Sequence, residues 1–339
     1  MHSKSNFLSA MDGLEHEKVP VWFMRQAGRY MPSYQEVRKR RSIKEICRDP
    51  AVVEEVSFLP VRELGVDAAI IFSDILLPAE AMGFDLRYQE GLGPVISNPF
   101  GSPSRSSPVE YDASGDIYSP SRAIKIFREK HASTPIIGFC GGPITVASYL
   151  IKGESDRDLA ATRTLMYRNP SDYNDFLQMV TEAMITVLKS QISAGCDAVQ
   201  IFDSWAGSLS REQFTHYREK FLSDLFSELG HARSIYFSTS SWHLLDQLRQ
   251  VKANFLSLDW KNDLSAISPV IGDHVGLQGN MDPVLAQTGG EACNSEAMRI
   301  TESMLHRKNY VFNLGHGVLP GTNPDTLRDI VNIVHSYSC

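Results

Sequence analysis

The sequence predicts an α/β fold: one single-domain (β/α)8 (TIM) barrel over residues 1–339. Two observations lead there. Eight short apolar or β-branched runs recur along the chain: VPVWF (19–23), AAIIF (68–72), PIIGF (135–139), DAVQIF (197–202), SIYFS (234–238), NFLSL (254–258), HVGLQ (274–278) and YVFNL (310–314). Between them lie helical patterns such as 172–195 and 211–230. Strands buried on both faces read as continuous apolar runs rather than alternating ones. Alternating with helices, they make a parallel sheet wound into a barrel. The competing arrangement is an open doubly wound sheet. No G-x-G-x-x-G follows a strand, which weighs against its dinucleotide-binding form.

Helix boundaries are signed in chain order. Ser33 with Glu36, and Ser210 with Gln213, have the spacing of a capping box. Ser119-Pro120 and Asn323-Pro324 each place an N-cap residue before a proline at the first helical position. Gly195 and Gly230 follow long helical patterns, as C-terminal glycines do. The stretch 87–119 is rich in Gly, Ser and Pro and reads as a long irregular excursion after the second strand, not a domain linker. No internal repeat is present.

Composition narrows the function. The 339 residues are 42% hydrophobic, enough for a large core, and carry a net charge of -7. That balance argues against a nucleic-acid or anionic-membrane surface. The five cysteines (47, 140, 196, 293, 339) are odd in number and form no C-x-x-C, so a reducing compartment is expected. The first residues lack the apolar core of a signal peptide, and no apolar run approaches the roughly 20 residues of a membrane span. The expectation is a cytoplasmic protein.

Chemistry in such barrels sits where strands end. The first run is followed by MRQAGR, the second by SD and ILLP, the third by CGGPIT and the fourth by DSWAG. The sixth leads into DW, the seventh into GNMDP and the eighth into GHGVLPG. Each residue has an ordinary reading as well. Asp74 and Ser204 serve equally as helix caps, Tyr149 as a half-buried core tyrosine, His316 as a turn residue, and Arg38 as part of a solvated helix face. Their shared place at one end of the strands favours a site. Arg25 and Arg29 have the clearest logic. Guanidinium stays charged, its planar fork matches carboxylate or phosphate, and no acidic residue stands between Met24 and Gln35. An acidic chain with a local cluster of unneutralised arginines implies a small polyanionic ligand.

The segment PVWFMRQAGRYMPSYQEVR (20–38) closely resembles the N-terminal signature of the uroporphyrinogen decarboxylase family. The likeness continues in order through IIFSDILLP, GFCGGPITVASYLIKG, IFDSWAG, LDW, LQGNMDP and FNLGHGVLPGTNPD, about residues 19–335. The resemblance implies a cytoplasmic, homodimeric (β/α)8 barrel that needs no cofactor and no metal. It would convert uroporphyrinogen III to coproporphyrinogen III by removing CO2 from four acetate side chains. Carried over by motif, Arg25, Gln26, Ala27, Gly28, Arg29 and Arg38 would bind substrate, with Arg25 also a proton donor. Asp74 would be catalytic, accepting hydrogen bonds from the pyrrole N–H groups. Tyr149, Ser204 and His316 match further substrate-binding positions. The sequence departs from the pattern at Ile144, where an aromatic residue is usual, at Gly321, where an acidic one is usual, and over 236–245. Two alternatives are a corrinoid-linked methyltransferase of the same fold, whose zinc-binding H-x-C pair is absent here, and a non-catalytic tetrapyrrole-binding protein.

Overall fold

The structure, a computed structural model, describes residues 5–89, 91, 93–101 and 120–338. The strands are β1 (Ala69–Ile70), β2 (Leu86–Gln89), β3 (Gly93–Ile96), β4 (Ile136–Gly141), β5 (Ala198–Phe202), β6 (Arg233–Ser238), β7 (Phe255–Leu258), β8 (Gly276–Met281) and β9 (Tyr310–Leu314). Seven of them form one parallel sheet in the order β1-β4-β5-β6-β7-β8-β9. Seven of the eight predicted runs thus lie in this sheet. β5, β7, β8 and β9 are buried almost throughout, as strands covered on both faces must be.

The eighth run, residues 19–23, is not a strand. It makes a single parallel bridge, Val21 to Phe312 of β9. Phe312 N–H donates to the Pro20 carbonyl at 2.9 Å, and Trp22 N–H donates to the Phe312 carbonyl at 3.3 Å. Two physical causes keep the segment short. Pro20 has no N–H to add to a ladder. On the side facing β1, a side chain replaces the ladder: Asp67 N–H donates to the Val21 carbonyl at 2.8 Å, and Val21 N–H donates to Asp67 Oδ2 at 2.7 Å. His335 Nε2 lies 2.7 Å from the same oxygen. The segment is nonetheless locked inside. Trp22 is fully buried, and its Nε1–H donates to Gln278 Oε1 at 2.9 Å. Gln278 Nε2 donates in turn to Gln200 Oε1 and Ser257 Oγ, at 3.1 and 2.9 Å.

Helices cover the outer face. Helix Pro50–Leu64 shows why the sequence makes them. Asp49 caps it by accepting from Ala51 and Val52 N–H, Pro50 opens it, and Gly65 ends it at φ 77°. Its buried stripe includes Val53, Val56 and Leu59. Helix Pro170–Ser193 packs on β4 and β5, helix Gly290–Met304 on helix Pro324–His335. Burying large side chains such as Trp22, Phe312 and Phe255 is worth about 3–5 kcal/mol each against truncation to alanine.

Several boundary expectations hold. Ser210 and Gln213 form the capping box, and Asn323 caps helix Pro324–His335 with Pro324 at its start. Gly195, at φ 103°, follows the end of its helix. Others are corrected. Ser33 does not cap a helix: it lies inside helix Pro32–Arg40, and its hydroxyl donates to Glu63. Pro32 starts that helix, with Met31 as its N-cap, two positions earlier than the capping-box spacing implied. Pro120 precedes helix Ser121–Lys130 as its N-cap rather than its first residue, and Ser119 lies outside the described residues. The predicted helix over 211–230 is interrupted by a π turn, Arg218–Leu222. The stretch 87–119 is not wholly irregular, because β2 and β3 pair antiparallel there. Residues 102–119 lie outside the described residues.

The seam at Asp67 gives a test. Removing a charged acceptor that serves a buried N–H costs about 1.5–3 kcal/mol. Asp67→Ala is expected to lower unfolding free energy by that amount in urea, and Asp67→Asn, which keeps one oxygen, by less. Equal midpoints for all three proteins would show that the seam does not depend on this carboxylate.

Candidate active site

The site begins where residues 19–23 leave the sheet. Arg25 has a left-handed backbone, φ 58°, uncommon for a side chain of its size. The turn around it is braced by Gln26, which is fully buried. Gln26 Oε1 accepts from Phe23 N–H at 3.1 Å, and its Nε2 donates to the Ala68 carbonyl at 3.0 Å. Tyr30 OH donates to the Gln26 carbonyl at 2.5 Å. Gly28 is required here, since a Cβ would stand 2.9 Å from the Arg25 carbonyl. Gln26 and Gly28 therefore shape the loop, and Arg25 and Arg29 extend from it, both exposed. Arg38 is half-buried, and its Nη1 donates to the Arg41 carbonyl at 2.6 Å. Among the described residues, none of these three guanidinium groups has a carboxylate within ion-pair distance.

Asp74 follows β1, the neighbouring strand. Its Oδ1 accepts from Leu76 N–H at 2.9 Å, so the ordinary cap-like reading of this residue is also true. Burial raises its pKa; the Leu76 N–H, the nearby Tyr88 phenol and the Arg25 charge act in the opposite direction. Tyr88 is close enough to exert that effect, but its hydroxyl makes no hydrogen bond of good geometry, so its contribution is weaker than that of the Leu76 N–H. The second oxygen of Asp74 accepts no well-formed hydrogen bond from the described residues.

After β5 come two residues with opposite fates. Ser204 borders the cleft. Asp203 is fully buried. It accepts from Thr145 Oγ1 (2.8 Å), Thr145 N–H (3.2 Å), Tyr217 OH (2.6 Å) and Tyr236 OH (2.9 Å). Burial raises its pKa, and these hydrogen bonds counter it. Asp203 thereby joins the end of β5 to helix Pro143–Lys152, which carries Tyr149. Tyr149 leans on Trp205 with ring centroids 4.6 Å apart, and Trp205 N–H donates to Thr145 Oγ1 at 3.2 Å.

His316 follows β9. Its imidazole is pushed down to about 4, mainly by burial and further by the positive charges of Arg25 and Arg157. Gly317 next to it lies against Arg25: a Cβ there would come within 2.4 Å of Arg25 Cδ. At Gly315 a Cβ would meet the Trp260 amide nitrogen at 2.2 Å. The two glycines of GHG thus allow close approach, one of a side chain and the other of backbone.

These strand ends enclose a cleft of about 870 Å3, part of it open to solvent. Its apolar lining includes Ile70, Phe72, Phe139, Phe202 and Phe237. Of the residues singled out from the sequence, Arg25, Gln26, Ala27, Asp74, Ser204 and His316 border it. Tyr149 stands close by, near enough for Asp74 to raise its pKa after burial has done so. Gly28, Arg29 and Arg38 are not part of the lining. Sequence reasoning missed Asp203 and Arg157. The first was hidden inside a motif read only for its serine, and the second belongs to no motif.

Comparison with known proteins decides the family. The family model described as "Uroporphyrinogen decarboxylase (URO-D)" matches residues 2–337. The chain is 41% identical to "Uroporphyrinogen decarboxylase" of Thermoplasma acidophilum, over 98% of this chain and 99% of that one. It is 38% identical to the protein of the same name from Picrophilus torridus, with the same coverage.

The chain belongs to the uroporphyrinogen decarboxylase family.

A solved "methyltransferase from Methanosarcina mazei" has the same fold, with a TM-score of 0.79 at 20% identity, covering 98% of this chain and 99% of that one. Two departures from the decarboxylase pattern have structural explanations. Ile144 is fully buried in the core and does not border the cleft. At Gly321 a Cβ would lie 2.4 Å from Gln287 Nε2, the end of a flexible side chain, so a longer residue there requires that amide to move aside.

The contact between Gly317 and Arg25 gives a second test. Gly317→Ala must displace the guanidinium stem. Misplacing a positioning group by about 1 Å costs on the order of 10²-fold in rate. The variant is expected to keep its melting temperature and lose kcat/KM toward a porphyrinogen by a factor approaching that figure. Unchanged kinetics would mean that Arg25 is not held in a working position.

Proposed function

We infer that this chain decarboxylates uroporphyrinogen III to coproporphyrinogen III, acting as a single (β/α)8 domain. The observation that carries the reading is Asp74: a carboxylate with an unused oxygen, at an apolar cleft with cationic groups on its margin. A porphyrinogen has the complementary layout, with four pyrrole N–H donors at its centre and carboxylates around its edge. Residues 19–23 serve as the eighth stave, supported by the hydrogen bonds to β9 on one side and to Asp67 on the other. The residues act as a homodimer in the cytoplasm, without a nucleic-acid partner; the net charge of -7 favours the last point. Among the described residues, no helix is long and apolar enough to cross a membrane.

The chemistry follows from the ring. Protonating the pyrrole α-carbon adjacent to the carbon that bears an acetate makes a cationic electron sink. The C–C bond to the carboxylate then breaks, its electron pair flows into the ring, and CO2 leaves. A proton on the exposed methylene carbon gives the methyl group, and loss of the proton first added restores the pyrrole. Asp74 accepts the pyrrole N–H groups and offsets the cation, as a preorganised anion in a partly dry site. The incoming donors favour its ionised form against the burial that raises its pKa. Arg25, with Gln26, Ala27 and Gly28 forming its loop, positions the reacting acetate and is the candidate proton donor. Arg29 and Arg38 hold outer carboxylates. Tyr149, Ser204 and His316 complete the contacts. The corrinoid-linked methyltransferase reading is less favoured, because the decarboxylase relatives are about twice as similar in sequence as the solved methyltransferase. A tetrapyrrole-binding protein without activity would have no need of an ionisable carboxylate under the ring.

Anaerobic incubation with uroporphyrinogen III, followed by product analysis, tests the reading; no loss of carboxylates would overturn it. Asp74→Asn is nearly isosteric but uncharged, and is expected to lose about 10²–10³ in kcat with the fold intact. Near wild-type turnover would remove Asp74 from the mechanism.

His316 gives a pH test. Its folded pKa of about 4 lies below the ordinary 6.5, so the ring is neutral at neutral pH. Protonation therefore favours the unfolded chain. The contribution of His316 to stability is complete above about pH 6.5 and is lost as pH falls toward 4. The kcat/KM profile reports the free enzyme, so no limb near neutrality should belong to His316. His316→Asn is expected to keep that profile and much of the activity, with partly decarboxylated intermediates accumulating. Near-total loss together with disappearance of a neutral limb would make His316 an obligate proton carrier instead.

A further inference from the structure

The arginines of the opening motif, Arg25, Arg29 and Arg38, come from one stretch of chain, while a porphyrinogen carries carboxylates around its whole edge. Cations from a single segment reach only one arc of such a ligand. The structure brings a further arginine to the cleft from a different connection. Arg157 lies between helix Pro143–Lys152 and helix Ala160–Arg168. Its side chain is exposed, and among the described residues it has no carboxylate within ion-pair distance.

Its backbone, in contrast, is fixed from several directions. Ser208 Oγ donates to the Arg157 carbonyl at 2.8 Å. Ser208 belongs to the turn Ala206–Ser208 that follows Ser204 and Trp205, so Arg157 is tied to the same strand end that borders the cleft. The preceding residue, Asp156, is buried and accepts from Thr162 N–H and Oγ1 at 3.1 and 3.0 Å. Leu159 is fully buried with φ 54°, a left-handed conformation uncommon for leucine. Ile96 N–H donates to the Gly153 carbonyl at 2.7 Å, holding the other end of the loop on β3. A merely solvated arginine has no need of such an anchored mount. The charge also acts on the site: it lowers the pKa of both Tyr149 and His316.

We propose that Arg157 binds a propionate carboxylate of the porphyrinogen, on an arc of the ring that the opening arginines do not serve. The inference rests on the decarboxylase reading and deepens it. A propionate is favoured over an acetate by reach. The acetates must come down to Arg25 and Asp74 to react, whereas Arg157 is an exposed residue at the margin, outside the lining of the cleft, where the longer chain arrives. Propionates survive all four decarboxylations, so Arg157 would hold substrate, intermediates and product alike and help keep the ring in place between steps.

The test uses unreactive oxidised porphyrins and fluorescence titration. Uroporphyrin has acetates and propionates, and coproporphyrin keeps only the propionates. Arg157→Gln is expected to weaken both by the same factor, about five- to tenfold at low salt, with the difference shrinking at about 0.5 M salt. Arg157→Lys should recover part of the loss. Arg168→Gln, at an exposed arginine that ends the helix following Arg157, should change nothing. In the ligand-free Arg157→Gln protein, the His316 titration followed by NMR should move upward, a shift that a loss of packing alone would not give. Unchanged affinity for both porphyrins, in a preparation that decarboxylates uroporphyrinogen, would overturn the role of Arg157 and leave the decarboxylase reading standing. Weakening confined to uroporphyrin would overturn the assignment to a propionate. A wild-type protein that leaves uroporphyrinogen intact would overturn the decarboxylase reading itself.

Discussion

Asp67 holds the seam on which the cleft depends. Its amide and carboxylate take both backbone groups of Val21, and the next residue, Ala68, accepts from Gln26. Two consecutive positions just before β1 therefore fix both the segment 19–23 and the loop that displays Arg25. The same strand, continued, delivers Asp74. A cation and an anion that must cooperate on one ligand are thus supplied by adjacent lengths of chain braced on a common point. A hydrogen-bond ladder could join two strands here, but a carboxylate does so over a single residue, which leaves the chain free to turn at Met24 and point Arg25 across the opening.

The electrostatics of the cleft follow from that arrangement. Bulk water would screen these charges within about 10 Å at 0.1 M salt. Phenylalanines line the cleft, and charge interactions strengthen as water is excluded. Burial drives Asp74 toward its neutral form and His316 toward its neutral form, while the arginines stay charged. The cleft thus combines arginines that pair with no carboxylate among the described residues and a carboxylate whose charge burial disfavours. A ligand with an anionic edge and a donor-rich centre corrects both at once. The close approach of Gly317 to Arg25 is the local condition for this, because any side chain at 317 would claim the space of the guanidinium stem.

Much of this was legible in the sequence, for definable reasons. Strands buried on both faces leave uninterrupted apolar runs, and seven of eight such runs became strands of one sheet. Capping spacing found the helix starts at Ser210 and Asn323, where side chain and backbone meet locally. It failed at Ser33, because Pro32 had already opened the helix and the serine found a distant partner in Glu63. The first run was misjudged because its pairing is made by the Asp67 side chain, a contact between residues 46 positions apart that no periodicity encodes. Arg157 escaped for a similar reason. Its backbone is held by Ser208, 51 positions away in the chain, a contact that no local pattern encodes.

The two strand-end aspartates show how little separates a structural carboxylate from a reactive one. β1 leads into Phe72-Ser73-Asp74, and β5 ends in Phe202 followed by Asp203-Ser204. The residue types are the same, and their order differs. In both, the phenylalanine borders the cleft. Their side chains part after the phenylalanine: Ser73 and Asp74 both border the cleft, whereas after Phe202 only Ser204 does and Asp203 is buried in the core. The hydrogen bonding then completes the division. Asp203 has four donors, two of them tyrosine hydroxyls, and its lone pairs are occupied. Asp74 has, among the described residues, one well-formed hydrogen bond, from the Leu76 N–H, with the Tyr88 phenol nearby. Burial raises the pKa of both, so burial alone does not distinguish them. What distinguishes them is the supply of donors, four in the core around Asp203 and the Leu76 N–H beside the cleft at Asp74.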